Sequence, residues 1–502
     1  MTAFHYAVPA SCLAMLLSTT GAFAQVTAQQ VWDDWKSNMG MYGENGVTIG
    51  SEAYANGVLT VTDLGFSMTD AGVTASGNLA QLVLTEQADG SVAVAMSDTY
   101  PLHVEGIDEA GKAFSVDLSM TQAGMAMNVS GMPGALTYQM NAPRVTIELD
   151  QLTEEGVPVP AEIVVGLNNV AGGYTSTGTD LKTLDYDMNV ESVDVKATGA
   201  EDGTSFTLNG TLATMAMQMV MTVPANAMVA EGANPFAAGL DLDGAYSFGA
   251  GTFTFNATED GAATDGTMTM TGGTVAFAMD HAAMDYSFGL QGLTTAMTSA
   301  ELPFPVSLAM NAMDFRLAMP MSPTDAPADF AGRLNLGGLT VNEELWAMID
   351  PGAIIPRDPA TVTVDVSGTA TMKVDLTDPA VGQGGMAEAT APGDLNSLTI
   401  NDVTVAIGGA DVHATGALTF DNTDLATYSG MPKPIGSIDF ALNGVNGLID
   451  KLVQLGIVPE EQLMGARMMM GMFSVPVGDD MLTSKIEFTA DGHLLANGQM
   501  LQ

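Results

Sequence analysis

The chain has 502 residues, 13 Lys+Arg against 58 Asp+Glu, and a formal net charge of -45. That balance speaks against nucleic acid and anionic membrane surfaces as partners, since both attract basic patches. With 47% hydrophobic residues the chain can bury a large core, which speaks against global disorder and suits two or three domains or one long all-β body.

Residues 1–24 read as a secretory signal. An apolar run from about Val8 to Leu17 is followed by Ala22-Phe23-Ala24, an A-x-A site that places cleavage after Ala24. The one cysteine, Cys12, lies in this leader and precedes the run Leu13 to Leu17, the reverse of a lipid-anchored cysteine. The mature chain is therefore expected to lack disulfides and thiol chemistry. No other run approaches the ~18 apolar residues of a spanning helix. The expectation is a soluble periplasmic protein.

A short helix follows. Thr27 and Gln30 form a capping box, and Val31, Trp32, Trp35 and Met39 make one apolar stripe. This helix is expected to plug against the first strands.

From Gly46 to about Met319 the pattern has period 2, as in Leu82 and Leu84, Val92, Val94 and Met96, and Met215 through Met221. Such alternation marks strands with one buried face. Turns set the register. At Ala88-Asp89-Gly90 a three-residue loop pairs Leu84 with Val94 and Leu82 with Met96, while at Asp202-Gly203 a two-residue loop pairs Ala197 with Leu208 and Val193 with Leu212. Strands at intervals of about 10–12 residues imply a mainly β fold, a long antiparallel meander forming a curved half-pipe or a two-sheet body. A short N-terminal helix and a few short helices in the last third complete it.

Pro320, Pro323 and Pro327 read as a linker or a sheet edge, dividing an N-terminal β region (25–320) from a C-terminal one (328–502). Within the latter, 339–356 resembles 442–459 at a constant offset of 103 residues, with Leu345 matching Leu448, Ile349 matching Leu452 and Ile355-Pro356 matching Val458-Pro459. Each copy reads as strand, short helix and an apolar-Pro exit. Residues Thr377 to Gly393 read as a loop. The chain end reads as strand (Ile438 to Leu442), helix (Val445 to Leu455), second helix (Pro459 to Met472) and a hairpin pairing Phe488 with Leu494, Ile486 with Ala496 and Leu482 with Met500. The second helix, with Met464, Met468, Met469 and Met472, is apolar nearly all round, so it is expected to be buried on several sides or to form a lid over something apolar.

The segments Gly436-Ser437-Ile438-Asp439-Phe440, Leu448-Ile449-Asp450-Lys451-Leu452 and Asp491 to Gln499 resemble an uncharacterised exported family of alphaproteobacteria, domain-of-unknown-function family 2125. So do Val26-Thr27-Ala28, Val31-Trp32, Leu345-Trp346, Asp350-Pro351 and Pro356 to Thr361. The resemblance covers nearly the whole mature chain, implies export, and brings no activity, cofactor or site residues. A looser architectural similarity links the chain to AsmA-like envelope proteins, whose curved β-grooves carry lipids.

Motif chemistry is sparse. The histidines after the leader, His103, His281, His413 and His493, are widely spaced, and no nucleophile elbow, phosphate loop or dinucleotide fingerprint stands in its required context. Asp185, Asp187, Asn189 and Glu191 share one face of a strand, which suits either Ca²⁺ or plain solvation. No catalytic, metal or cofactor residue is nominated, and a non-enzymatic role is expected. The strongest anomaly is 37 methionines. Met fills irregular gaps and suits surfaces that accept variable apolar partners. Met215, Met217, Met219, Met221, Met464 and Met468 are therefore candidate contacts for a lipid or other apolar ligand. The alternatives are an acidic structural or surface-layer scaffold and an outer-membrane-associated β protein.

Overall fold

The computed structural model describes residues 25–39, 46–70, 72–108, 110–179, 181–201, 203–224, 234–379, 381 and 391–501. The expected leader, Asp202 of one expected turn and most of the Thr377–Gly393 loop lie outside the described residues.

Helix α1, Ala28–Met39, starts as its sequence predicts. The Thr27 hydroxyl accepts a hydrogen bond from the Gln30 amide at 3.2 Å, and the Gln30 side-chain oxygen accepts one from the Thr27 amide at 3.0 Å. Its stripe buries Ala28, Val31 and Trp32 against Leu59, Val61, Leu82, Leu84, Val94 and Tyr138, with Trp35 and Met39 packed alongside. An ion pair fixes the outer side of the helix. Asp34 and Lys182 meet at 2.7 Å, both nearly buried, and the Tyr138 hydroxyl donates to Asp34 at 3.0 Å.

The strands form one 27-stranded antiparallel sheet, so the two-sheet alternative is not realised. Successive strands are mostly neighbours, but four long strands divide between two partners along one edge, among them Ala135–Glu154 between Ala113–Thr121 and Ala126–Met132, and Ala283–Ser299 between Ala262–Met270 and Gly272–Met279. Strand Val73–Glu86 pairs with Val92–Met96 along one half and with Thr99–Ile107 along the other. Strand Thr204–Pro224 divides in the same way between Asp241–Phe248 and Gly251–Glu259. At one end Val47–Ala55 pairs with Val58–Asp70, and at the other Met481–Phe488 is bordered by Val475–Gly478 and Leu494–Ala496. No pairing among the described residues joins these ends, so the sheet is not a closed barrel. It also continues across the proline cluster, since Val306–Pro320 pairs with Ala328–Val341 from Leu308↔Val341 to Ala318↔Ala331.

Register follows the turns. Leu84 pairs with Val94, Leu82 with Met96, Ala197 with Leu208 and Val193 with Leu212. Three expectations are corrected. Many strands are twice the expected length: Leu181–Glu201 and Thr204–Pro224 run 21 residues each. Left-handed residues such as Asn169 (φ 49) and Thr214 (φ 48) sit in mid-strand, and the jog there breaks the alternation into two apparent strands. Leu482 does not meet Met500, because Asn497 (φ 50) and Gly498 (φ 79) form a tight turn that pairs Ala496 with Gln499 and Leu495 with Met500. The third concerns the helices. After α2 (Glu343–Ile349) and α3 (Val445–Gln454), helix α4 (Glu460–Phe473) is not buried on several sides: Met464, Met468, Met469 and Met472 are exposed.

Trp32 is fully buried in the one large core cluster. Trp32→Ala should cost about 3–5 kcal/mol, as for other buried aromatics truncated to Ala. Urea unfolding followed by Trp35 emission, in a Trp346→Phe background, measures it.

Candidate functional site, an apolar sheet face

Cross-strand partners point to the same side of a sheet, as do residues two apart along a strand. Starting at Tyr138, direct partners lead through Tyr174, Tyr186, Met219, Gly244, Phe277, Tyr286 and Leu317. The same row then runs through Gly332, Val366, Ile400, Gly416, Ile438 and Ile486 to Ala496. It crosses the sheet from the strand beneath α1 to the far end without meeting one charged or amide side chain.

The opposite face has the other chemistry. Asp185, Asp187, Asp243, Arg316, Arg333, Asp439 and Lys485 are exposed on it, and Arg316–Asp285 and Arg333–Asp365 are paired at 2.7 Å. Asn189 and Gln218 donate to Asp187 at 3.2 Å each, so part of this acidic strand face is tied up by amides. Among the described residues no group of three or more His, Cys, Asp or Glu is placed to hold a metal ion.

Along the apolar face, Met215, Met217, Met219 and Met221 are all half-buried, on one side of strand Thr204–Pro224. They are brought together with one another and with Leu184, Tyr186, Met188 and Val190 of the adjoining strand. Met464 and Met468 do not join them. They stand exposed on α4, at the other end of the sheet.

Aromatic rings organise the surface between. Tyr138 and Tyr174 stack at 4.2 Å, and Tyr174 and Tyr186 at 5.0 Å, extending the aromatic core of α1 outward. Burial pushes the Tyr138 and Tyr174 hydroxyls well above the usual phenol range, so both are neutral. Further on, phenylalanine rings lie over the glycines opposite them. A Cβ on Gly244 would meet the Phe277 ring at 2.6 Å, one on Gly266 the Phe255 ring at 2.1 Å, and one on Gly210 the Phe253 ring at 2.2 Å. Sequence reading missed this pattern. Its signal was the pairing of Phe and Gly in register, visible only once the strands are aligned.

The Leu345 to Pro359 segment has a structural task. Asp350 is fully buried and accepts from the Ile354 amide at 3.0 Å, the Ile355 amide at 2.7 Å and Arg357 Nη1 at 2.7 Å. The Arg357 guanidinium lies 4.5 Å over the Trp346 ring. Burial alone would raise the Asp350 carboxyl, but the two amides and the Arg357 guanidinium outweigh it and hold the group below its ordinary 3.8. A depressed carboxylate stabilises the fold above its unfolded pKa, and that contribution is lost as pH falls through the folded value. Acid should therefore loosen this segment below about pH 4, seen as blue-to-red movement of Trp346 emission in a pH titration. Asp350→Asn should show the red-shifted emission already at neutral pH.

Residues 209–489 match the model of a family described as uncharacterized protein conserved in bacteria, DUF2125. The match spans more than half of the chain, which belongs to this family. No curated protein matches its sequence.

Proposed function

We propose that this member of the DUF2125 family is an exported, periplasmic, non-enzymatic protein that holds lipid-like molecules on the apolar face of its sheet. One observation carries the reading: the apolar row from Tyr138 to Ala496, roofed by α1 at one end and flanked by half-buried methionines beyond it. A second sheet layer would normally cover such a face. Acyl chains supply equivalent cover, at roughly 0.8 kcal/mol per CH₂ withdrawn from water. Methionine suits chains of differing length and unsaturation because its unbranched side chain re-packs readily. Among the described residues no helix is long and apolar enough to cross a membrane, so in this reading the chain meets lipid as a carried ligand.

A structural scaffold is the second reading, favoured by strand Val47–Ala55. Eight of its nine residues are exposed, and an uncovered edge is a template for pairing with another strand. Concentration-dependent growth in analytical ultracentrifugation would favour it.

The test of the lipid reading is extraction of the purified mature chain followed by lipid mass spectrometry. The wild-type chain should carry lipid. Met217→Asp/Met219→Asp should retain at least about tenfold less, since a buried carboxylate without a partner costs several kcal/mol and ~1.4 kcal/mol is a factor of ten. A wild-type chain free of lipid sinks the proposal.

A further inference from the structure

The apolar face is walled at one place. Beneath the last turn of α1 lies a cavity of ≈ 390 Å³, lined chiefly by Met39, Val47, Leu64, Phe66, Leu79 and Met96. Leu64 pairs with Leu79, and Val47 with Phe66, so these side chains share the face on which α1 sits. Ser67, Met68, Ala75 and Tyr100 add to the lining, and among the described residues no charged side chain contributes to it. From Ala75 the same row continues through Val104, Val116 and Leu152, so the cavity leads onto apolar surface.

We propose that this cavity seats the end of one acyl chain of a zwitterionic lipid held on the apolar face. The inference rests on the lipid-binding reading above and says where a chain terminates. The volume lies near the small end of ligand pockets, which run roughly 300–1,000 Å³, and so takes a single chain. Among the described residues its lining offers no charged group to a head group. The Tyr100 hydroxyl already donates to the Met120 sulfur at 3.4 Å, and Lys36, one turn before Met39, is engaged by Asp33 at 3.2 Å and Glu52 at 3.6 Å. Trp32 and the contacts of Asp34 with Lys182 and Tyr138 hold α1 against the sheet without a ligand. A preformed site saves the ordering cost that weakens binding to mobile surfaces.

The two tryptophans of α1 report on this cavity. Trp35 packs against the same cluster as Met39, Leu64, Leu79 and Met96, whereas Trp346 lies in the distant α2. In Trp346→Phe only Trp32 and Trp35 emit. Loading that protein with phosphatidylethanolamine brominated near the chain end should quench most of its emission. Ala75→Phe in the same background should abolish the quenching while lipid is still retained. Moving the bromines to mid-chain should weaken the quenching, which tests the proposal even if Ala75→Phe does not fold. Bound lipid with no quenching, or equal quenching from both bromine positions, overturns the cavity and leaves the apolar face as the carrier. A chain that takes up no lipid overturns both.

Discussion

A single sheet with one apolar face must cover that face from its own side chains, and the contact that does so here is a phenylalanine ring laid over a cross-strand glycine. Phe277 on Gly244, Phe255 on Gly266 and Phe253 on Gly210 are direct partners in the ladder. At each glycine the missing Cβ leaves room for the ring to lie along the sheet, where it shields backbone as well as itself. A side chain larger than hydrogen at Gly244 would push the Phe277 ring outward. The glycine content is therefore part of the hydrophobic design.

The methionines fill the complementary role. Strand Thr204–Pro224 offers Met215, Met217, Met219 and Met221 in succession, opposite Leu184, Tyr186, Met188 and Val190 on one side, while on the other Met219 adjoins Gly244 under the Phe277 ring. Flexible side chains there shelter one another, each left half-buried. Aromatic rings over glycine make the fixed floor, and methionine makes the adjustable portion. Both are needed only because most of the face has no second layer.

Local signals were legible in the sequence, and non-local ones were not. The Thr27–Gln30 capping box and the register around Ala88-Asp89-Gly90 depend on residues within a few positions of one another, and both appear as expected. The long strands were hidden because Asn169 and Thr214 adopt a left-handed backbone that interrupts the period of 2. Asp34 and Lys182, 148 residues apart, come together only through the summed registers of the intervening strands. The exposure of α4 misled for another reason: an apolar composition predicts burial only if something is there to bury it, and the methionines of α4 face solvent. The candidate contacts thus divide, with those of strand Thr204–Pro224 on the apolar face and those of α4 apart from it.

The acidic charge opposes face-to-face stacking of two such sheets at low ionic strength. Asp185, Asp187, Asp241 and Asp243 are exposed on the opposite face, on the two strands that flank Thr204–Pro224, within a chain of net charge -45. Two molecules stacking by their apolar faces would bury greasy surface but bring two strongly acidic bodies together, and the repulsion grows with the product of the charges. At physiological ionic strength the Debye length is about 8 Å, whereas the outer faces of two stacked sheets lie roughly 20 Å apart, so this repulsion is strong at low salt and largely screened at physiological salt. A neutral or zwitterionic chain pays no such penalty on approaching the face. Along these strands one side carries the apolar surface and the other the acidic charge.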